Sequence, residues 1–139
     1  MPQEFSSGII AFRRAETIKF LLLNYPNGHW GFSKGNMEKG ESSRETALRE
    51  FKEETGLEIE KMFEGFKEMI EFFYRKEGRI IHKDVTFYLG EASEGKVKLT
   101  EHDNFAWLGF EDALAKLKFK NDKELLEKAK KFLDNYFHS

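Results

Sequence analysis

Between Gly35 and Leu57 the chain runs GNMEKGESSRETALREFKEETGL, and no other stretch restricts the fold so tightly. Ser42 followed three residues later by Glu45 is a capping box. The hydroxyl accepts an N–H of the first helical turn, and the glutamate reaches back to the cap. From Ser43 the pattern stays helical until Gly56, the residue best able to take the left-handed conformation that ends a helix. At about 100° per residue, Ala47, Leu48, Phe51 and Thr55 share one arc. Glu50, Glu53 and Glu54 fill the adjoining arc at i, i+3, i+4 spacing. One short helix thus offers an apolar stripe to a core and a carboxylate stripe beside it.

Such clustering costs helix stability, about 0.2–0.5 kcal/mol for a like-charged i, i+4 pair. It also raises carboxylate pKa values unless a cation sits among them. A hard divalent ion with oxygen ligands removes the conflict, and Mg²⁺ typically combines one or two carboxylates with substrate phosphates. Three glutamates alone would fit an ordinary solvated face in a chain that is 35% charged. Gly35, Glu41, Arg49 and Gly56 in fixed register with them argue for the ion. Gly35 and Gly40 let the preceding loop turn tightly and approach a ligand closely. Glu41 lies just outside the helix start, and Arg49, beyond the stripe, suits orientation of a glutamate better than chemistry.

At 139 residues the chain is expected to form one domain, 1–139, with a sizeable core. A hydrophobic content of 40% with 15 Phe supports a globular fold, and a net charge of −2 gives no reason to expect nucleic acid as partner. Without cysteine there is no disulfide, thiol nucleophile or Cys–zinc site. The start, MPQEFSSG, has neither a basic nor an apolar leader region, and no apolar run approaches 18 residues, so a cytoplasmic protein away from membranes is expected. The spacing predicts strands over 7–14 and 17–25, a turn at Pro26-Asn27-Gly28, and short and long strands at 57–59 and 63–74. A turn at 76–78 leads to a strand over 79–92, with short strands at 97–99 and 105–108. Helices are predicted over 111–117 and from an Asn121 cap to about Tyr136. The apolar run Phe20–Leu23 suits a strand covered on both faces, hence a sheet with helices on each side.

In the pattern G-x5-E-x7-R-E-U-x-E-E-x-G-U, with U bulky and apolar, Gly35, Glu41, Arg49, Glu50, Phe51, Glu53, Glu54, Gly56 and Leu57 occupy every defined position. On these residues the chain resembles the Nudix hydrolases. GIIAFRR, FLLL, HW, ETALREFKEETG, EGFKE, and EH followed by WLG extend the likeness over roughly residues 7–135. They point to one branch, the asymmetric bis(5′-nucleosyl)-tetraphosphatases, which hydrolyse diadenosine tetraphosphate. The resemblance implies an α/β/α sandwich, a mixed β-sheet between helices. It departs at one place: Ser33 stands before Lys34-Gly35 where many members carry proline, which would loosen the loop's entry.

The resemblance further implies Mg²⁺, with Mn²⁺ as the alternative, held by Glu50 and Glu54 first, then by Glu53 and the Gly35 carbonyl. Glu101 looks like a further metal ligand or the general base, and the choice of base among the glutamates stays open. His29, Lys34 and Lys83 look like phosphate contacts. Phe87 and Phe119 match the branch's base-stacking positions, with Tyr25 and Tyr74 in reserve; Trp30 and Trp107 are expected to pack. The implied substrate is a small dinucleoside polyphosphate, cleaved to ATP and AMP; the oligomeric state stays open, with a monomer favoured. RNA 5′ ends, ADP-ribose or nucleoside triphosphates are alternative substrates, and a non-catalytic nucleotide-binding module is the remaining alternative.

Overall fold

The computed structural model describes residues 2–100 and 104–138. Its centre is a mixed sheet in which β1 (Gln3–Arg14) runs parallel to β6 (Arg79–Ala92) and antiparallel to β2 (Ile18–Asn24). The strand order is β3-β2-β1-β6-β5, with β3 at Trp30–Gly31 and β5 at Ile59–Lys76. β4 (Ser33–Asn36) pairs with β1, and β7 (Asn104–Leu108) pairs with β2.

Because strand side chains alternate between faces, β1 and β2 feed two cores. Ile10, Phe12, Phe20 and Leu22 point to one side, where α2 (Phe110–Lys116) and α3 (Lys120–His138) bring Ala113, Leu125, Leu126, Ala129 and Leu133. Ile9, Ala11, Leu21 and Leu23 point to the other, where α1 (Ser43–Thr55) lays down Ala47 and Phe51. The expected α/β/α sandwich is therefore present. Trp30 and Trp107 pack against the two cores, as expected. No helix among the described residues is long and apolar enough to cross a membrane.

α1 has the anticipated ends. Ser42 accepts from the Glu45 backbone N–H, Glu45 accepts from the Ser42 N–H, and Gly56 closes the helix at φ 75°. β6 also keeps its predicted bounds. Elsewhere the structure corrects the sequence reading. SKGN forms β4, a strand with no apolar alternation to announce it, so the loop entry is tied down by β1 rather than loosened. The two strands expected at 57–59 and 63–74 merge into β5, whose irregularity between Met62 and Lys67 sets the four residues 63–66 against Leu89 alone on β6. Residues 97–99 are not a strand, although Val97 and Leu99 pack against the α1-side core. α3 begins at Lys120, which leaves Asn121 in its first turn instead of at the cap.

Removing the Ser42 hydroxyl leaves a first-turn N–H without its acceptor. Ser42→Ala is expected to cost about 1 kcal/mol and to lower the thermal midpoint by about 3–5 °C. Circular dichroism melting checks both.

Candidate active site

The carboxylates of α1 converge on Arg49. Its Nε donates to Glu41 at 2.6 Å and one terminal nitrogen to the other Glu41 oxygen at 3.0 Å. The second terminal nitrogen donates to Glu50 at 3.2 Å and Glu53 at 3.1 Å, and the guanidinium also reaches the Asn36 carbonyl at 3.0 Å. Arg49 thus fixes the loop before the helix and two of the three stripe glutamates at once. The guanidinium hydrogen bonds hold the Glu41 carboxyl down at about 2, helped by the Glu38 backbone N–H. Glu41 in turn raises the pKa of Arg49.

β4 divides the site between the sheet's two faces. Ser33 and Gly35 face α1, and Lys34 faces the other way. The Ser33 hydroxyl donates to Glu54 Oε1 at 2.6 Å, and Glu54 is 5% exposed. This serine, which sequence comparison marked only as a departure from proline, therefore orients a predicted ligand. A Cβ added to Gly35 would lie 2.0 Å from the Glu50 carboxyl carbon. Glu50 packs directly on the Gly35 backbone, and only glycine leaves it room. Glu50, Glu54 and Gly35 line one hollow of about 450 Å³ together with Ser6, Tyr25 and Lys83. Its oxygen-only donor set fits a hard divalent cation. Glu53 is held by Arg49, is more exposed, and does not line the hollow. Glu101 lies outside the described residues; its neighbour Thr100 donates to the Glu53 carbonyl at 3.1 Å.

Lys34 also lines a second hollow of about 460 Å³, with His29, Phe72, Tyr74, Phe119 and Asp122. The Lys34 ammonium stands 5.6 Å from the Phe72 ring centroid and 5.9 Å from that of Tyr25. His29 stacks on Tyr25 at 4.8 Å and meets the edge of Phe119 at 5.3 Å. Phe119 is half exposed, so one of its faces is open. Phe87 does not join them. It is 1% exposed and packs edge-on to Phe32: it shares a face with Lys83 and Phe72 but lies four residues beyond Lys83 on β6, deep in the core. The expectation that Phe87 offers a face to the cleft is corrected by its burial; Phe72 on β5 lines the cleft. Phe72 and Asp122 were missed, since an aromatic among 15 Phe and an acid in a charged helix carry no distinguishing pattern.

Burial lowers the pKa of Lys34, with Asp122 and Glu54 pulling the other way. Lys83 is likewise lowered by burial and then by Lys34. Burial also lowers His29, with Lys34 and Lys118 adding to it, and raises Asp122 against the pull of Lys34. Lys83 donates to the Asn36 side chain at 3.2 Å, which also accepts from Ser6 at 2.8 Å. Tyr74 donates to Glu4, which sets the β5 edge of the cleft. Two partly desolvated ammonium groups beside a carboxylate hollow make a place for anionic oxygens.

Residues 4–129 match the family described as NUDIX domain. The chain belongs to the Nudix family. Among its Nudix relatives is the asymmetrical bis(5′-nucleosyl)-tetraphosphatase of Mus musculus, 36% identical over 91% of this chain and 92% of that protein. The corresponding Caenorhabditis elegans enzyme is 33% identical over 94% of this chain and 97% of its own length. A crystal structure of a C. elegans Ap4A hydrolase binary complex superposes with a TM-score of 0.84 at 32% identity, covering 95% of this chain and 98% of that one.

Two outcomes test the geometry. Gly35→Ala pushes the Glu50 carboxylate aside, so Mg²⁺ uptake measured by calorimetry is expected to weaken about 10- to 100-fold while folding is retained. The pH dependence of stability tests the Glu41–Arg49 pair. Glu41 lies below its ordinary value of 4.5 in the folded protein. Its contribution is therefore complete above that value and lost as pH falls towards about 2. Glu41→Gln should flatten the fall of the thermal midpoint across that window, and an unchanged slope would count against the pair.

Proposed function

We propose that the protein is a Mg²⁺-dependent hydrolase that cleaves diadenosine tetraphosphate to ATP and AMP. The observation that carries this reading is that Lys34 lines both hollows, joining a carboxylate cluster to an aromatic cleft. A substrate with a flat base at its end and a polyphosphate beside it spans such a pair. The sequence relatives that hydrolyse dinucleoside tetraphosphates support the same choice.

Glu50 and Glu54, with Glu53 and the Gly35 carbonyl, would hold Mg²⁺ (Mn²⁺ is the alternative). When bound, the ion would neutralise phosphate charge and acidify a coordinated water. The chain's own residues do the rest. Arg49 keeps Glu41, Glu50 and Glu53 in register. Lys34 and Lys83 donate N–H hydrogen bonds to the phosphate oxygens, and an anion beside them offsets what burial withholds from their ammonium forms. Phe119, with Phe72, Tyr74 and the Tyr25–His29 stack around it, offers the base an apolar slot. Water adds to a phosphorus and the P–O–P bridge breaks. A stripe glutamate or Glu101 takes the proton, and AMP leaves from ATP. Unequal products follow if the slot fixes one base at a set distance from the carboxylates. The protein acts as a cytoplasmic monomer in this reading.

Incubation with a panel of diadenosine tetraphosphate, ADP-ribose, nucleoside triphosphates and 5′-triphosphorylated RNA, with chromatography of products, tests the substrate. Faster turnover of any other member of the panel overturns the choice. Glu54→Gln is expected to lower kcat at least about a hundredfold, or about 2.7 kcal/mol of barrier. Phe119→Ala should raise KM about tenfold, within the range for loss of one base stack, and leave kcat nearly unchanged.

A further inference from the structure

The β5–β6 ribbon carries a second cluster on the face turned away from the aromatic cleft. Glu71 stands directly opposite Asp84, and Phe73 directly opposite His82. One ligand atom from each of Glu71, His82 and Asp84 lies within 4.8 Å of the other two. His82 Nε2 is 2.8 Å from Glu71 Oε2 and 3.4 Å from Asp84 Oδ1. Strand alternation sends Lys83, Phe72 and Tyr74 to the cleft and these three side chains to the sheet face shared with Tyr88 and α1; the cluster lies two strands across from Gly35 on β4, and none of its residues lines the carboxylate hollow.

We propose that Glu71, His82 and Asp84 form a binding site for a borderline first-row divalent cation, with Zn²⁺ as its probe. Two carboxylates placed directly opposite on neighbouring strands repel each other, and a bridging cation reverses that. An imidazole nitrogen with two carboxylate oxygens is a zinc-type donor set with a fourth position open; Mg²⁺ prefers oxygen alone and octahedral geometry. Ligand atoms about 2.1 Å from a tetrahedral ion lie about 3.4 Å apart. The His82–Asp84 spacing already has this value, and the exposed Glu71 carboxylate, 2.8 Å from His82 and within 4.8 Å of Asp84, comes to it by moving outward from the imidazole.

The surroundings hold the set in place. The Gln3 amide donates to Asp84 Oδ2 at 3.2 Å, which leaves Oδ1 turned to His82. Phe73 stacks on the imidazole at 4.8 Å and 16°. An ion here ties β5 to β6 and, through Gln3, to the start of β1. The same ribbon presents Phe72, Tyr74 and Lys83 on its other face, so the ion acts as a clasp that stiffens one wall of the cleft.

The experiment is Zn²⁺ titration of metal-stripped full-length protein without nucleotide, by competition with a chromophoric chelator. A Glu50→Gln/Glu54→Gln background removes the α1 site. This background is expected to retain one equivalent of Zn²⁺ uptake, to melt higher with Zn²⁺, and to show shifted His82 ring resonances. Adding His82→Asn or, separately, Glu71→Gln should weaken uptake at least about a hundredfold, and Gln3→Ala about tenfold. Glu71 is exposed on an edge strand, so its replacement keeps the test sound even if His82→Asn disturbs folding. No uptake by the background protein overturns the site. So does uptake that survives both the His82 and Glu71 changes, which would assign the ion to one of the other three histidines.

Discussion

A single guanidinium governs the arrangement of the site. Arg49 contacts Glu41 through two nitrogens, two further glutamates on its own helix, and the Asn36 carbonyl at the end of β4. Without that cation the stripe of glutamates would repel, and Glu41 would be left with the Thr46 hydroxyl as its tie to the helix. With it, a helix end and a strand end become one rigid corner. Arg49 cannot lose its proton, so the corner holds its charge at every pH the protein meets. It leaves Glu54 to Ser33 on the opposite flank, so the cluster is gripped from two sides.

β4 shows how much can be done with four residues. Its parity places Ser33 and Gly35 against α1 and Lys34 against the aromatic cleft. Each residue type has one reason to be there. Ser33 supplies a donor to a buried carboxylate, Gly35 supplies space for Glu50, and Lys34 supplies charge on the far face. Pairing with β1 from Ser6 to Ile9 fixes this alternation in the sheet rather than in a loop. A site on sheet backbone holds its geometry better than one on a free loop.

α1 was legible in the sequence because its signals are local. Ser42, Glu45 and Gly56 mark its ends, and the 3.6-residue period separates apolar from acidic positions. The turn before β6 was legible for the same reason: Glu77 at φ 51° and Gly78 at φ 75° take left-handed conformations that a short ribbon turn demands. β4 was not legible, because SKGN has no apolar alternation and exists as a strand only through its partner. Phe87 was expected at the cleft and Phe72 was not singled out, for a related reason. Phe87 shares its face with Phe72 and Lys83, but it pairs with Gly8 in the middle of the sheet, under the helices, whereas Phe72 lies nearer the open end of the ribbon, and that depth is set by tertiary packing. Val97 and Leu99 looked like a strand from their side chains. Their burial against the α1-side core needs no ladder, and the one nearby backbone bond runs from Lys98 to Thr55 at the end of α1.

The β5–β6 ribbon joins these points. Its inner face holds Phe72, Tyr74 and Lys83, and its outer face holds Phe73, His82 and Asp84, so neighbouring residues serve opposite sides of one two-stranded wall. β5 is a sheet edge, and β6 alone pairs with it along 67–76. An edge strand is the part of a sheet most free to shift, yet here it forms one side of the cleft. Two contacts on the inner face restrain it: the Tyr74–Glu4 bond and the Lys83 ammonium, 6.0 Å from the Tyr74 ring centroid. On the outer face the His82 imidazole lies between Glu71 on the edge and Asp84 on the inner strand. Any change in the spacing of those two carboxylates moves β5 against β6, and with it the aromatic slot relative to Lys34. The wall's stiffness is therefore set in part by side chains that never face the cleft.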